Sequence, residues 1–138
     1  MFTRRDLSIL FPAIAAAQGA AKEKRAPSKA FRFEDLPVRN GNTTAIRQVL
    51  SGETHSDYFI DLHETELAAG QAPHAPHQHV HEELVLIREG ELEVMISGKT
   101  TLLGPGSVGY IASGELHGWK NTGRTPAKYF VLALGRDK

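Results

Sequence analysis

The stretch His77-Gln78-His79-Val80-His81-Glu82-Glu83-Leu84-Val85-Leu86-Ile87-Arg88-Glu89-Gly90 decides how this chain reads. It opens with imidazoles at i and i+2, passes a carboxylate pair, enters a β-rich apolar run and closes on a turn glycine. Side chains two apart on an extended backbone share a face, so His77 and His79 can point into one lumen. A kink around His81 and Glu82 then lets Glu83 enter from the start of the next strand. A second stretch, Gly106-Ser107-Val108-Gly109-Tyr110-Ile111-Ala112-Ser113-Gly114-Glu115-Leu116-His117, followed by Asn121, supplies another imidazole from a remote segment. Three imidazoles and a carboxylate suit a divalent transition metal of intermediate softness. A metal that closes so long a loop couples its binding to folding. Four protein ligands leave a six-coordinate ion two positions for substrate or dioxygen.

Around these stretches the chain reads as short strands between turn signals, without a helical period. Phe31-Arg32-Phe33 alternates and reads as a first strand, and Asn40-Gly41-Asn42 is a turn cluster. Strands are expected over Thr44 to Leu50, Tyr58 to Leu67, Glu83 to Ile87, Leu92 to Ile96, Thr100 to Leu103, Val108 to Ile111, Leu116 to Lys120 and Lys128 to Leu134. Turns at Gly90, Ser97-Gly98 and Gly104-Pro105-Gly106 separate them. Strands recurring at this interval with glycine corners indicate an antiparallel sandwich or barrel.

Composition limits what such a barrel can be. The 138 residues suffice for one domain. Sixteen basic residues balance sixteen acidic ones, so there is no basic footprint for nucleic acid. Cysteine is absent, which removes disulfides, thiolate metal sites and a cysteine nucleophile. No apolar run approaches the roughly 20 residues of a membrane span.

Residues 1–21 have a different character. Arg4-Arg5 precede an apolar run, Leu7 to Ala17, that ends in small residues, the order of an export signal. The arginine pair resembles the twin-arginine type, which exports folded, often cofactor-loaded proteins to the periplasm. Asp6 beside the pair and Pro12 inside the apolar run depart from that type. The plainer alternative is an amphipathic N-terminal helix packed on a cytoplasmic domain. Residues 22–36 then read as a flexible lead-in with the first strand, and 37–138 as the barrel domain.

The two stretches resemble the paired motifs of the cupin superfamily. His77-x-His79, three residues, Glu83, six residues and Gly90 match the first motif. Gly106, five residues, Ala112-x-Gly114, two residues, His117, three residues and Asn121 match the second. Six residues separate Gly70 from His77 where the family usually has five, and Ala112 stands where proline is usual. The resemblance covers Thr43 to Leu134. It implies an all-β double-stranded β-helix, a jelly-roll barrel of six to eight strands. It also implies one metal on His77, His79, Glu83 and His117. Iron or manganese is the first expectation, with nickel, copper, zinc or cobalt as alternatives. Small cupins of this type resemble dioxygenases, decarboxylases and sugar isomerases, and they commonly dimerise through sheet edges.

A mononuclear dioxygenase-type oxidoreductase acting on a small organic molecule is therefore the leading functional expectation. Glu83 is the candidate catalytic base, because it is the only carboxylate in the ligand set. The alternatives are a cupin that binds a metal or small ligand without chemistry, and a non-oxidative decarboxylase or isomerase. Trp119, two along from His117, shares its expected inward face and is a pocket candidate, as are Phe59 and Phe130; Leu132 is a further core candidate. His74 and His81 read as rim residues, Glu82 as solvated, and Asn121 as a cap on the turn Thr122-Gly123.

Overall fold

The computed structural model describes residues 25–137, so the candidate export segment lies outside the described residues. Nine strands follow a 3₁₀ turn at Phe33–Asp35. They are β1 (Val38–Asn40), β2 (Thr44–Glu53), β3 (Phe59–Leu67), β4 (Glu82–Glu89), β5 (Leu92–Ile96), β6 (Lys99–Leu103), β7 (Val108–Ile111), β8 (His117–Lys120) and β9 (Ala127–Leu134). Six form one sheet in the order β1-β2-β3-β9-β4-β7, and three form a second in the order β6-β5-β8. All pairs are antiparallel. This is the double-stranded β-helix that the family resemblance implied, and the antiparallel barrel that the strand spacing anticipated.

Alternation within strands fixes which side chains enter the barrel. In β4 the buried set is Glu83, Val85 and Ile87, and in β9 it is Ala127, Tyr129 and Val131. Leu92 and Val94 of β5 and Trp119 of β8 meet them from the smaller sheet, closing one apolar core. Two turns depend on backbone freedom. Ser97 and Gly98, with φ of 47° and 83°, form the two-residue connection of the β5–β6 hairpin, whose left-handed pair matches the strand twist. Gly90 has φ of 74°, and a Cβ there would lie 2.9 Å from both Ala127 Cα and Pro126 O. Only glycine fits between β4 and β5 at that point.

Three local expectations are corrected. Phe31-Arg32-Phe33 is not a strand: the chain turns through the 3₁₀ segment, and Phe33 lies between the guanidinium groups of Arg47 and Arg88 at 4.6 and 4.8 Å. Those arginines flank Glu64, fully buried on the outer face of the larger sheet, at 3.4 Å each. The strand that precedes β2 is β1 instead. Phe130 and Leu132 alternate with the buried Tyr129 and Val131 and so face the outside of the sheet. Phe130 is therefore not a pocket residue.

Candidate metal centre

The site is assembled where the loop before β4 is zipped to β8. His77 and His117 exchange both backbone hydrogen bonds, N to O at 2.9 and 3.0 Å, as an isolated antiparallel bridge. His79 is held by the other half of the second motif. Its carbonyl accepts from Gly114 N at 2.9 Å, while Gln78 Nε2 donates to Gly114 O at 2.8 Å. Gly118 permits this close approach, since a Cβ there would meet Pro76 Cα at 3.2 Å. His77 and His79 thus lie on an extended loop rather than on a regular strand. Glu83 enters as the second residue of β4, just after the chain bends at Val80 and His81.

Donor atoms of His77, His79 and His117 all lie within 4.8 Å of one another. Their ring centroids are 4.6 to 5.1 Å apart. Glu83 Oε2 lies 2.8 Å from His79 Nε2 and 3.3 Å from His117 Nε2. The four predicted ligand residues are therefore brought together around one point. Backbone carbonyls orient two of the rings: His79 Nδ1 donates to His81 O and His117 Nδ1 to Glu115 O, both at 2.8 Å. A neutral imidazole bonded in this way keeps its Nε2 lone pair for a metal. His117 is fully buried, yet its Nε2 has no hydrogen-bond partner. A buried polar nitrogen left without a partner costs about 1–3 kcal/mol, and coordination would satisfy it. The donor set thus fits a divalent transition metal. Burial, followed by repulsion from His74, His117 and His79, holds His77 below the ordinary imidazole range and favours the neutral, ligating form.

The remaining histidines of the first motif sit around this centre. The His74 ring lies 4.2 Å from that of His77 at the rim. His81 stacks on His79 at 3.6 Å, with Nδ1 2.9 Å from Asp137 Oδ1. Asn121 caps its turn as expected, accepting from Gly123 N at 2.9 Å. It also donates to Leu67 O and Thr125 O, which ties β8 to the ends of β3 and β9.

Beside the four residues is a cavity of about 430 Å³, to which Glu83 and Trp119 both contribute. Trp119 is also core: it is 6 % exposed and its Nε1 donates to Tyr129 Oη at 3.0 Å. Phe59 lies off this cavity, in an adjoining cleft with His81 and Glu83, under the guanidinium of Arg136. The far wall of the cavity carries Arg39, Gln48, Asp61 and His63, none of which the sequence reading singled out. Two of them lie on β3, where Asp61, His63 and Thr65 alternate with Ile60, Leu62 and Glu64. The usual assumption that apolar residues face inward assigns that strand the wrong face.

Comparison with known proteins agrees with this fold. The family model "Cupin domain" matches residues 63–133, just over half of the chain, and the chain belongs to the cupin family. No curated protein matches it in sequence. Among solved structures it is similar to a predicted oxalate decarboxylase from Thermotoga maritima, with a TM-score of 0.69 at 22% identity, covering 78% of this chain and 100% of that one. It is also similar to KdgF from Halomonas sp. (TM-score 0.68, 17% identity, 78% and 95% covered). A third is the polyketide cyclase RemF from Streptomyces resistomycificus (TM-score 0.66, 22% identity, 80% and 82% covered). At these identities the likeness concerns the fold.

Proposed function

We propose that this cupin holds one divalent transition metal on His77, His79, Glu83 and His117 and acts on a small polar organic molecule bound in the adjoining cavity. The observation that carries the proposal is His117 Nε2, buried without a partner and facing the Glu83 carboxylate and two further imidazoles. The metal would supply Lewis-acid polarisation of a substrate oxygen. The chain's own part is to bind that molecule, keep His79 and His117 in the ligating tautomer and exclude bulk water with Trp119 and Tyr129. Glu83, besides helping to hold the metal, would be the carboxylate able to take up a proton at this end of the cavity.

Of the two reaction classes the sequence suggested, the cavity favours the non-oxidative one, isomerisation or decarboxylation, over the dioxygenase type. Its wall carries Arg39, Gln48, Asp61 and His63, groups that orient and protonate polar substrates. Metal analysis of protein purified without a metal-binding tag should give about one equivalent of transition metal. Oxygen uptake on catechols, flavonoids, diketones and dicarboxylates should be absent. Uptake with any of them would restore the dioxygenase reading, and a metal-free protein would reject the proposal. Glu83→Gln should keep part of the metal affinity and lower turnover; full turnover would refute its role.

Export to the periplasm belongs to the same proposal and rests on residues 1–21. Among the described residues no helix is long and apolar enough to cross a membrane. A homodimer through strand edges is also proposed: β7 ends the larger sheet with Val108 and Tyr110 about half exposed. Light scattering that gives a monomer mass at micromolar concentration would refute it.

A further inference from the structure

The wall of the cavity opposite the candidate metal centre is organised in rows. Strand pairing places Arg39 level with Ile46, Thr65 and Tyr129. Gln48, His63 and Val131 form the next inward-facing row. Ser51, Asp61, Ala133 and Glu83 form the one beyond. Asp61 and Glu83 are therefore two strands apart in one row, roughly 10 Å by ordinary strand spacing. Consecutive inward rows lie roughly 7 Å apart. Arg39, on β1, is farther along the sheet from Glu83, and it is the lining of one cavity that brings Arg39, His63 and Glu83 around the same space.

His63 is set up to handle a proton. Its Nδ1 lies 3.2 Å from Asp61 Oδ1, and Asp61 Oδ2 accepts from Gln48 Nε2 at 3.2 Å. Gln48 is itself held by the carbonyls of Leu50 and Leu62, at 3.2 and 3.1 Å. Burial alone would raise Asp61, but hydrogen bonds from Ser51, His63 and Gln48 outweigh it and hold the carboxyl below its ordinary value. An ionised Asp61 fixes the neutral imidazole with its proton on Nδ1 and its lone pair on Nε2. Among the described residues none hydrogen-bonds His63 Nε2, and the ring lines the cavity to which Glu83 contributes. Arg39 lines the same cavity and has no ion-pair partner among the described residues.

We infer that the cavity takes a small carbonyl acid, its carboxylate on Arg39, and that His63, positioned by Asp61, moves a proton at the carbon beside the carbonyl. The substrate C–H bond breaks, the proton passes to His63 Nε2, and the electron pair stays on the substrate as an enolate. Return of the proton to the same carbon gives exchange, and return to a neighbouring atom gives an isomer. No oxidant or reductant is consumed. The inference rests on the proposed metal centre, which when loaded would polarise the carbonyl and so make the neighbouring C–H bond more acidic.

The test uses the full-length metal-loaded protein and 2-oxobutanoate as probe. Binding is followed by calorimetry, deuterium incorporation at C3 in D₂O by proton NMR, and metal content on the same samples, with free metal at equal concentration as control. Wild type should bind the probe and exchange its C3 protons faster than the control. His63→Gln should retain affinity within about threefold and lose about a hundredfold or more of the exchange rate. Arg39→Gln should weaken binding about tenfold or more and change saturated exchange much less. The charged or titratable groups around the His63 imidazole are Asp61 on its own strand, Arg39, His74, Glu83 and Tyr129 around the cavity, and His81, Arg136 and Asp137 around the adjoining cleft. Asp61→Asn should move the acidic limb of the exchange profile to lower pH, because the imidazole that accepts the proton loses its stabilising carboxylate. That shift separates positioning from a merely structural role. Stoichiometric metal without binding or exchange would overturn the inference and leave the metal centre standing. Exchange undiminished in a His63→Gln protein would overturn it as well. Wild type without metal would instead refute the reading on which it rests.

Discussion

Replacing His117 separates the stability of the barrel from the stability lent by the metal. The ring is fully buried, and its Nδ1 donates to Glu115 O at 2.8 Å. Truncation to alanine therefore removes a core side chain and one hydrogen bond, roughly 2–4 kcal/mol, less the roughly 1–3 kcal/mol that the unpartnered Nε2 costs in the metal-free state. The informative quantity is the additional stabilisation that metal provides. With free Mn²⁺, Co²⁺ or Zn²⁺ at a hundred times Kd, the wild type should gain about 2.7 kcal/mol, on the order of 10 °C in melting temperature. If loss of one ligand weakens the site a hundredfold, the variant gains only about 0.4 kcal/mol at the same concentration. Thermal melts of chelator-treated protein, with and without added metal, read both terms at once. His117→Gln repeats the measurement with less lost volume. A metal-induced shift as large in both variants as in the wild type would refute the assignment of His117 as a ligand.

Other consequences can be checked by ordinary stability measurements. Burial pushes Tyr129 up to about 12, so the unfolded chain loses this proton first as pH rises. Its contribution is complete below about pH 10 and falls by roughly 3 kcal/mol between pH 10 and 12. Urea melts of Tyr129→Phe should lose that slope. The same variant leaves the Trp119 indole N–H without its acceptor, costing about 1–3 kcal/mol at neutral pH; unchanged stability there would contradict the buried pair. Gly90→Ala combines a left-handed backbone with a 2.9 Å approach to the backbone at Pro126 and Ala127, and should cost about 2–4 kcal/mol. A melt within about 0.5 kcal/mol of wild type would show that the β4–β5 turn relaxes. Deleting residues 1–21 should leave a soluble, metal-binding domain, and an insoluble or unfolded product would assign that segment to the barrel.

The clustering of the four candidate ligands was legible because their spacing is a property of the backbone. His77, His79 and Glu83 keep their order through a short loop and the start of β4, and Gly114 and Asn121 mark turns that return His117 to the same place. Strand limits were legible from turn residues to within a few positions at most ends. The facing of β3 and β9 was not. Leu62, Phe130 and Leu132 are more apolar than Asp61, His63 and Thr65, yet the polar set faces inward, because this end of the barrel encloses a polar cavity rather than a packed core. Hydrophobic alternation identifies a strand and cannot tell which of its faces is the interior when that interior is polar. For the same reason Arg39 and the Asp61–His63 pair carried no signal until strand register placed them beside Glu83. The role of Gly118 was hidden too, since it depends on the passage of Pro76 across β8.

The central claim is that four side chains from two remote motifs hold one metal. A crystal structure of the metal-loaded protein, with diffraction collected at the metal's absorption edge, tests it most directly. The account predicts one strong anomalous peak within about 2.0–2.2 Å of Nε2 of His79 and His117, a ring nitrogen of His77 and a carboxylate oxygen of Glu83. A peak on His81 and Asp137, with His117 Nε2 uncoordinated, would contradict it.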